Sequence, residues 1–178
     1  DTHRLALMNA TLHDLACEIT WGDTLSLSGK KMKGYDLVLT NPPFGTKSGG
    51  ERIMRDDLPY PSSNKQLNFL QHIYLSLTDK PEARAAVVIP DNVLFSDGDG
   101  YKIRTELLNK FNIDAILRLP TGIFYAQGVN TNVLFFDRKK PQTEEVWFYD
   151  MRSNMQPFGK RNPLRTEHFS NFVEEYEK

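Results

Sequence analysis

Tyr35-Asp36-Leu37-Val38-Leu39-Thr40-Asn41-Pro42-Pro43-Phe44-Gly45 reads as a strand that runs into a locked corner. Asp36 to Thr40 is a short apolar run with the branched residues of a buried strand. Pro42 and Pro43 then fix two backbone torsions and remove two N–H donors. Pro42 also drives Asn41 out of the helical region. The result is a stiff turn at the carboxyl end of a strand. It presents one amide side chain, carbonyls that no following N–H readily claims, and one aromatic ring. Such a corner suits an exocyclic amine on a flat ring. The Asn41 side-chain oxygen accepts one N–H and the Pro42 carbonyl the other, while Phe44 lies against the ring. Two acceptors aimed at an amine favour the positive charge that grows on its nitrogen during attack on an electrophile.

Outward from this corner the chain alternates helical and strand patterns. Leu5, Met8, Leu12 and Leu15 recur at helical spacing and predict a helix from about Thr2 to Leu15. Glu18-Ile19-Thr20-Trp21 reads as a short strand closed by Gly22-Asp23-Thr24-Leu25. Ligands of doubly wound sheets sit outside the carboxyl ends of strands. Asp23 is there placed to accept from the amino group of a nucleoside cofactor, with Leu25 over the ring; a loop-capping role is the plainer reading for such an Asp.

Downstream of Phe44 comes a long Gly-, Pro- and charge-rich segment. Its Lys47, Arg52 and Arg55 are candidates for phosphate contact, with a solvated loop the alternative. Gln66 to Leu77 is an amphipathic helix capped near Ser63 or Asn64. Ala85 to Pro90 is a buried strand, Asp91 to Gly100 a turn, Ile103 to Phe111 a helix and Ala115 to Pro120 a strand. Thr131 to Asp137 and Val146 to Asp150 read as two strands joined by a short polar link, a terminal antiparallel hairpin. Thr166 caps a last helix. The order predicts an α/β sheet.

Composition narrows the classes. The 178 residues are 39% apolar and 25% charged, a globular balance. No apolar run is long enough for a bilayer, and no secretory signal opens the chain. The lone Cys17 excludes an internal disulfide and fits a reducing compartment, hence a cytoplasmic protein. The four histidines show no metal spacing, so no metal site is expected. A net charge of −1 gives no global basic field, so any nucleic-acid contact depends on local clusters or a partner. The chain opens with no initiator Met and in helical periodicity, which reads as part of a longer protein.

The run from Asp36 to Phe44 resembles the catalytic motif of S-adenosylmethionine-dependent amino-methyltransferases, in the Asn-Pro-Pro-Phe form frequent among DNA adenine-N6 enzymes. Further segments, in order, are similar to the modification subunit of type I restriction–modification systems. These are His3 to Asn9, Gly22 to Leu25, Asn68 to Ile73, Ile89 to Phe95, Ile103-Arg104, Arg118 to Phe124 and Gly128 to Phe136. The resemblance implies a Rossmann-like class I methyltransferase sheet, partial here, that flips adenine from the duplex and methylates N6. It implies Asn41, Pro42, Pro43 and Phe44 as catalytic residues, and Asp23, Thr24, Leu25 and Asn41 at S-adenosylmethionine. Gly128, Asn130 and Thr131 become contacts to the base. The expected partners are DNA, a specificity subunit and a restriction subunit. Residues 1–150 form the catalytic core and 151–178 an extension with a short helix.

The family's glycine-rich cofactor loop and the acidic residue for the cofactor ribose have no counterpart in these 178 residues. Their strands belong mid-sheet, and bare edges invite pairing with a second copy. Asn-Pro-Pro with an aromatic also occurs in ribosomal RNA guanine-N2 and protein glutamine-N5 methyltransferases, and a non-catalytic assembly module is a further alternative. The chain by itself is therefore expected to be inactive and to bind S-adenosylmethionine poorly. Isothermal titration checks this: micromolar affinity overturns it.

Overall fold

The structure, a computed structural model, describes residues 2–44, 55–124, 128–139, 143–153 and 155–178. Lys47 and Arg52 lie outside the described residues. Helices α1 (Thr2–Leu12), α2 (Lys65–Ser76), α3 (Asp91–Phe95), α4 (Asp99–Lys110) and α5 (Ser170–Tyr176) accompany five strands. These are β1 (Leu37–Thr40), β2 (Arg84–Pro90), β3 (Asn112–Arg118), β4 (Thr131–Asp137) and β5 (Trp147–Asp150). They form one sheet in the order β1-β2-β4-β3-β5. β1 is parallel to β2, and β5 to β3. β4 runs antiparallel to both β2 and β3. All strands but β4 therefore point the same way.

The expected hairpin of Thr131–Asp137 with Val146–Asp150 does not form. Every residue of β4 is paired with β2 on one edge, and β3 occupies the other. The chain leaving β4 therefore steps to the outer edge of β3, where β5 adds in parallel.

Alternation along β4 feeds two cores. Leu134 and Phe136 enter a cluster with Leu70, Ile73 and Tyr74 of α2 and Ile103 and Leu107 of α4. Val133 and Phe135 face the opposite side, where Leu117, Leu119 and Met151 are buried. There α5 is held by rings: Phe172 stacks on Trp147 with centroids 5.6 Å apart and on Phe135 at 6.1 Å. Such pairs add about 0.5–1.5 kcal/mol each beyond burial. Residues 151–178 thus pack on the sheet. A bulge between Ile113 and Ala115 shifts the register of β3, so that Ile113 and Ile116 face the same cluster.

Four local expectations change. β1 is an edge strand, not a buried one: Val38 packs on the core, but Leu39 is 70% exposed because no described strand covers that side. Glu18 to Trp21 is irregular; a strand needs a neighbour to take its backbone groups, and none is described there. α1 stops at Leu12, with Asp14 left-handed at φ 51° as a helix-ending residue. The turn expected after Pro90 contains α3.

Arg55, expected to touch phosphate, is 3% exposed and spent inside the protein. Its Nε and Nη2 donate to the Asp57 carboxylate at 2.6 and 3.0 Å. Nη1 donates to the Thr24 carbonyl at 3.0 Å and lies 3.1 Å from His72 Nδ1. This ties the 22–29 loop to α2. Two further α2 side chains bracket the incoming backbone. The Asn68 amide pairs with the N–H and carbonyl of Ser62, and the Gln71 amide with those of Tyr60. α2 itself starts at Asn64, whose side chain accepts from the Gln66 N–H at 3.0 Å.

Burial, and then the Arg55 charge, lower the His72 imidazole from its ordinary value to about 4. The unfolded chain therefore takes up a proton that the folded one refuses between about pH 6.5 and pH 4. Stability from this group is complete above pH 6.5 and is lost as the pH falls toward 4. The urea midpoint is expected to drop across the upper part of that window, and His72→Asn to flatten the drop. Urea titrations at pH 7 and 5.5 check it.

Candidate active site

The common direction of β1, β2 and β3 brings three carboxyl ends to one rim, and β4 starts there. Asn41, Asp91, Leu119 and Thr131 follow or open these strands in turn. At the β1 end, Asn41 is exposed, Pro42 is buried and Phe44 is half-buried. No described group hydrogen-bonds the Asn41 side chain or the Pro42 carbonyl. The buried Pro42 anchors the turn, and Asn41 beside it is exposed with no hydrogen-bond partner among the described residues. Phe44 meets Phe124 edge to face, with centroids 5.6 Å apart and planes at 82°. Phe124 sits in the loop after β3, so this contact joins loops from strands that are not neighbours.

The loop after β3 opens on a cleft of ≈ 760 Å³ lined by Thr121, Phe124, Gly128, Phe158, Lys160 and Leu164, among others. Gly128 has φ 89° and open space where a Cβ would stand. Asn130 is exposed, and its carbonyl accepts from the Asp91 N–H at 3.0 Å. Thr131, expected to touch the base, is 1% exposed, and its hydroxyl has no partner among the described residues. It lies beneath the rim, so Gly128 and Asn130 are the accessible members of that set.

The second expected constellation is the 22–29 loop. Asp23 is exposed; one carboxylate oxygen accepts from the Leu25 N–H at 2.9 Å, the turn-capping role. The other oxygen is open among the described residues, which fits an amino group of a nucleoside. Leu25 is 8% exposed and offers a ring little surface. Gly29 is required here, since a Cβ would stand 1.9 Å from the Thr24 carbonyl oxygen. Thr24 is fixed through that carbonyl by Arg55. Phe124 and the Asp91 contact to Asn130 had no signal in the local sequence, because both join segments far apart in the chain.

A parallel α/β sheet with one antiparallel strand let into it, ending in an Asn-Pro-Pro-Phe corner, defines a class I S-adenosylmethionine-dependent methyltransferase fold. A putative class I S-adenosylmethionine-dependent methyltransferase from Listeria monocytogenes has this fold, with a TM-score of 0.65 at 19% identity over 99% of this chain and 51% of its own. The chain belongs to the N-6 DNA methylase family, whose model matches residues 1–178. It is 49% identical to the type I restriction enzyme EcoKI methylase subunit of Escherichia coli K12, over 98% of this chain and 35% of that protein. The crystal structure of the EcoKI M protein superposes with a TM-score of 0.86, covering 97% of this chain and 38% of that one. The chain thus spans about a third of the length of the relative it matches.

The cleft wall rests on Gly122, which has φ 81° and would place a Cβ 2.0 Å from the Phe158 carbonyl oxygen. Gly122→Ala is expected to destabilise more than Gly128→Ala, which meets only the left-handed backbone penalty of about 1–2 kcal/mol. Denaturant unfolding of the two variants checks the order.

Proposed function

We propose that this chain carries the amine-binding part of a DNA adenine-N6 methyltransferase, the modification subunit of a type I restriction–modification system. The observation that carries the reading is the open acceptor pair of Asn41 and Pro42 on a proline-locked turn, beside a Phe44 ring braced by Phe124. S-adenosylmethionine, when bound, would supply an electrophilic methyl group, its methyl–sulfur bond breaking to leave the neutral thioether as the new N–C bond forms. The Asn41 side-chain oxygen and the Pro42 carbonyl accept the two hydrogens of the adenine amine and hold it in plane. They stabilise the positive charge that builds on nitrogen as its lone pair forms the new N–C bond. The surplus proton then leaves to water, so no strongly basic side chain is required. Phe44 stacks on the base, which has to leave the duplex to be reached. Phe124 fixes the angle of Phe44, Gly128 and Asn130 border the base, and Asp23, with Thr24 and Leu25, lies at the cofactor adenine.

The similarity to type I methylase subunits supports DNA as substrate and a specificity subunit, with a restriction subunit, as partners. Among the described residues no helix is long and apolar enough to cross a membrane, and a cytoplasmic site of action fits the reaction. The bare β1 edge is compatible with pairing to a second copy.

Asn41→Ala in the full-length protein is expected to keep cofactor binding and to lower methylation about 100-fold or more. Tritium transfer from labelled cofactor, with DNA, ribosomes and protein offered in parallel, checks both the residue and the substrate. Near-wild-type turnover, or label on ribosomes or protein in place of DNA, overturns the reading.

A further inference from the structure

The guanidinium of Arg152 reaches five acceptors. Nη1 and Nη2 take the two Asp91 carboxylate oxygens at 3.0 and 2.8 Å. Nε donates to the Leu119 carbonyl at 3.1 Å, and Nη2 also reaches the Thr131 carbonyl at 2.9 Å and Asn132 Oδ1 at 3.2 Å. Asp91 follows β2, Leu119 follows β3, and Thr131 and Asn132 open β4. One planar fork therefore spans the rim of three adjacent strands. The Asn132 amide, fully buried, donates to Asp91 Oδ1 at 2.8 Å and closes the network. Burial pushes the Asp91 carboxyl up, but the hydrogen bonds from Arg152 and Asn132, with the Arg152 and Arg118 charges, outweigh it and hold it below the ordinary carboxylate range.

What this fork grips is informative. Leu119 and Thr131 are the two stems of the loop that carries Phe124 and Gly128. The Leu119 N–H already closes the neck on the Thr131 carbonyl at 3.0 Å. Arg152 takes the remaining stem carbonyl and ties both to Asp91, at the end of the strand next to β1. Phe44 and Phe124 arise from strands three places apart in the sheet, roughly 14 Å at 4.8 Å per strand. Rings that meet across that span need stems that do not rock. A part-buried, bidentate Arg–carboxylate fork is a stiff device for this, and lysine cannot replace its geometry.

We propose that Arg152, held by Asp91, is a positioning residue for the reaction: it sets the loop that places Phe124 against Phe44 and so fixes the stacking ring over the base. Arg152 is assigned no contact with base or cofactor and acts through Asp91, Leu119 and Thr131. The proposal rests on the methyltransferase reading above for its consequence, but not for its geometry.

The test uses full-length protein labelled with meta-fluorophenylalanine, with the Phe124 resonance assigned through Phe124→Leu. Arg152→Met and Asp91→Asn, at temperatures well below unfolding, are expected to move that resonance in the absence of any DNA. Both are expected to lower the methylation kcat, up to about 100-fold for an ångström of misplacement, with cofactor and DNA dissociation constants unchanged. Arg152→Lys, which retains the charge but not the fork, is expected to fall between Arg152→Met and wild type. The double variant is expected to be no worse than Arg152→Met alone, because the two residues act as one unit. A Phe124 resonance unmoved in both single variants overturns the proposal whatever the activity does, and so does wild-type kcat with the resonance moved. A wild-type protein that fails to methylate adenine in DNA while the resonance still responds to Arg152→Met refutes the assigned reaction and leaves the clamp standing.

Discussion

Strand β4 has no free edge, and that constraint shapes the molecule. Antiparallel between β2 and β3, it lets its neighbours share one direction without a crossover through its own position. Four carboxyl ends and one amino end then lie along a single rim. Ligands of open α/β sheets collect where such ends gather. The same placement pushes β5 outward onto β3 and leaves the far face of the sheet to residues 151–178. Those residues bring Arg152 back to the rim and Phe172 onto Phe135. The rim that opens beside Asn41 is thus held by a residue far downstream of it.

The corner at Asn41 was legible because it is local. Two prolines constrain the backbone whatever surrounds them, so the turn and its open acceptors follow from five residues. β4 matched its expected bounds, since alternation and β-branched content mark a two-faced strand. The order of strands was not legible. Pairing depends on which edges are already taken, and a polar link of the length of Lys139 to Glu145 permits a hairpin as well as an outward step. Exposure of β1 escaped for the same reason: its apolar run is that of a strand covered on both sides, and among the described residues only β2 pairs with it.

Charged residues were read least well. Arg55 sits in a Gly- and Pro-rich segment with other basic residues, which suggests a surface role. Its actual partners, Asp57, Thr24 and His72, make it a buried tie between the 22–29 loop and α2. Asp23 kept the plainer of its two expected roles, capping its own loop with one oxygen, and the other oxygen is open. A charged side chain in a sequence has many available partners, and only the fold decides which desolvated one it takes.

The rim also separates two kinds of acceptor. At Asn41 and Pro42 both acceptors are neutral, and neither can take a proton at working pH. A carboxylate in their place would hold an amine more strongly in the ground state, but it would be costly to desolvate beside a flat apolar ring. It would also compete for the proton that has to leave. The carboxylate at this rim, Asp91, is bound by Arg152 and Asn132 and held in its charged form. Its charge goes into holding the strand ends, while Asn41 and Pro42 offer uncharged oxygens. On the proposed reading, the ion pair supplies stiffness and the neutral oxygens favour the charge that develops on the amine nitrogen.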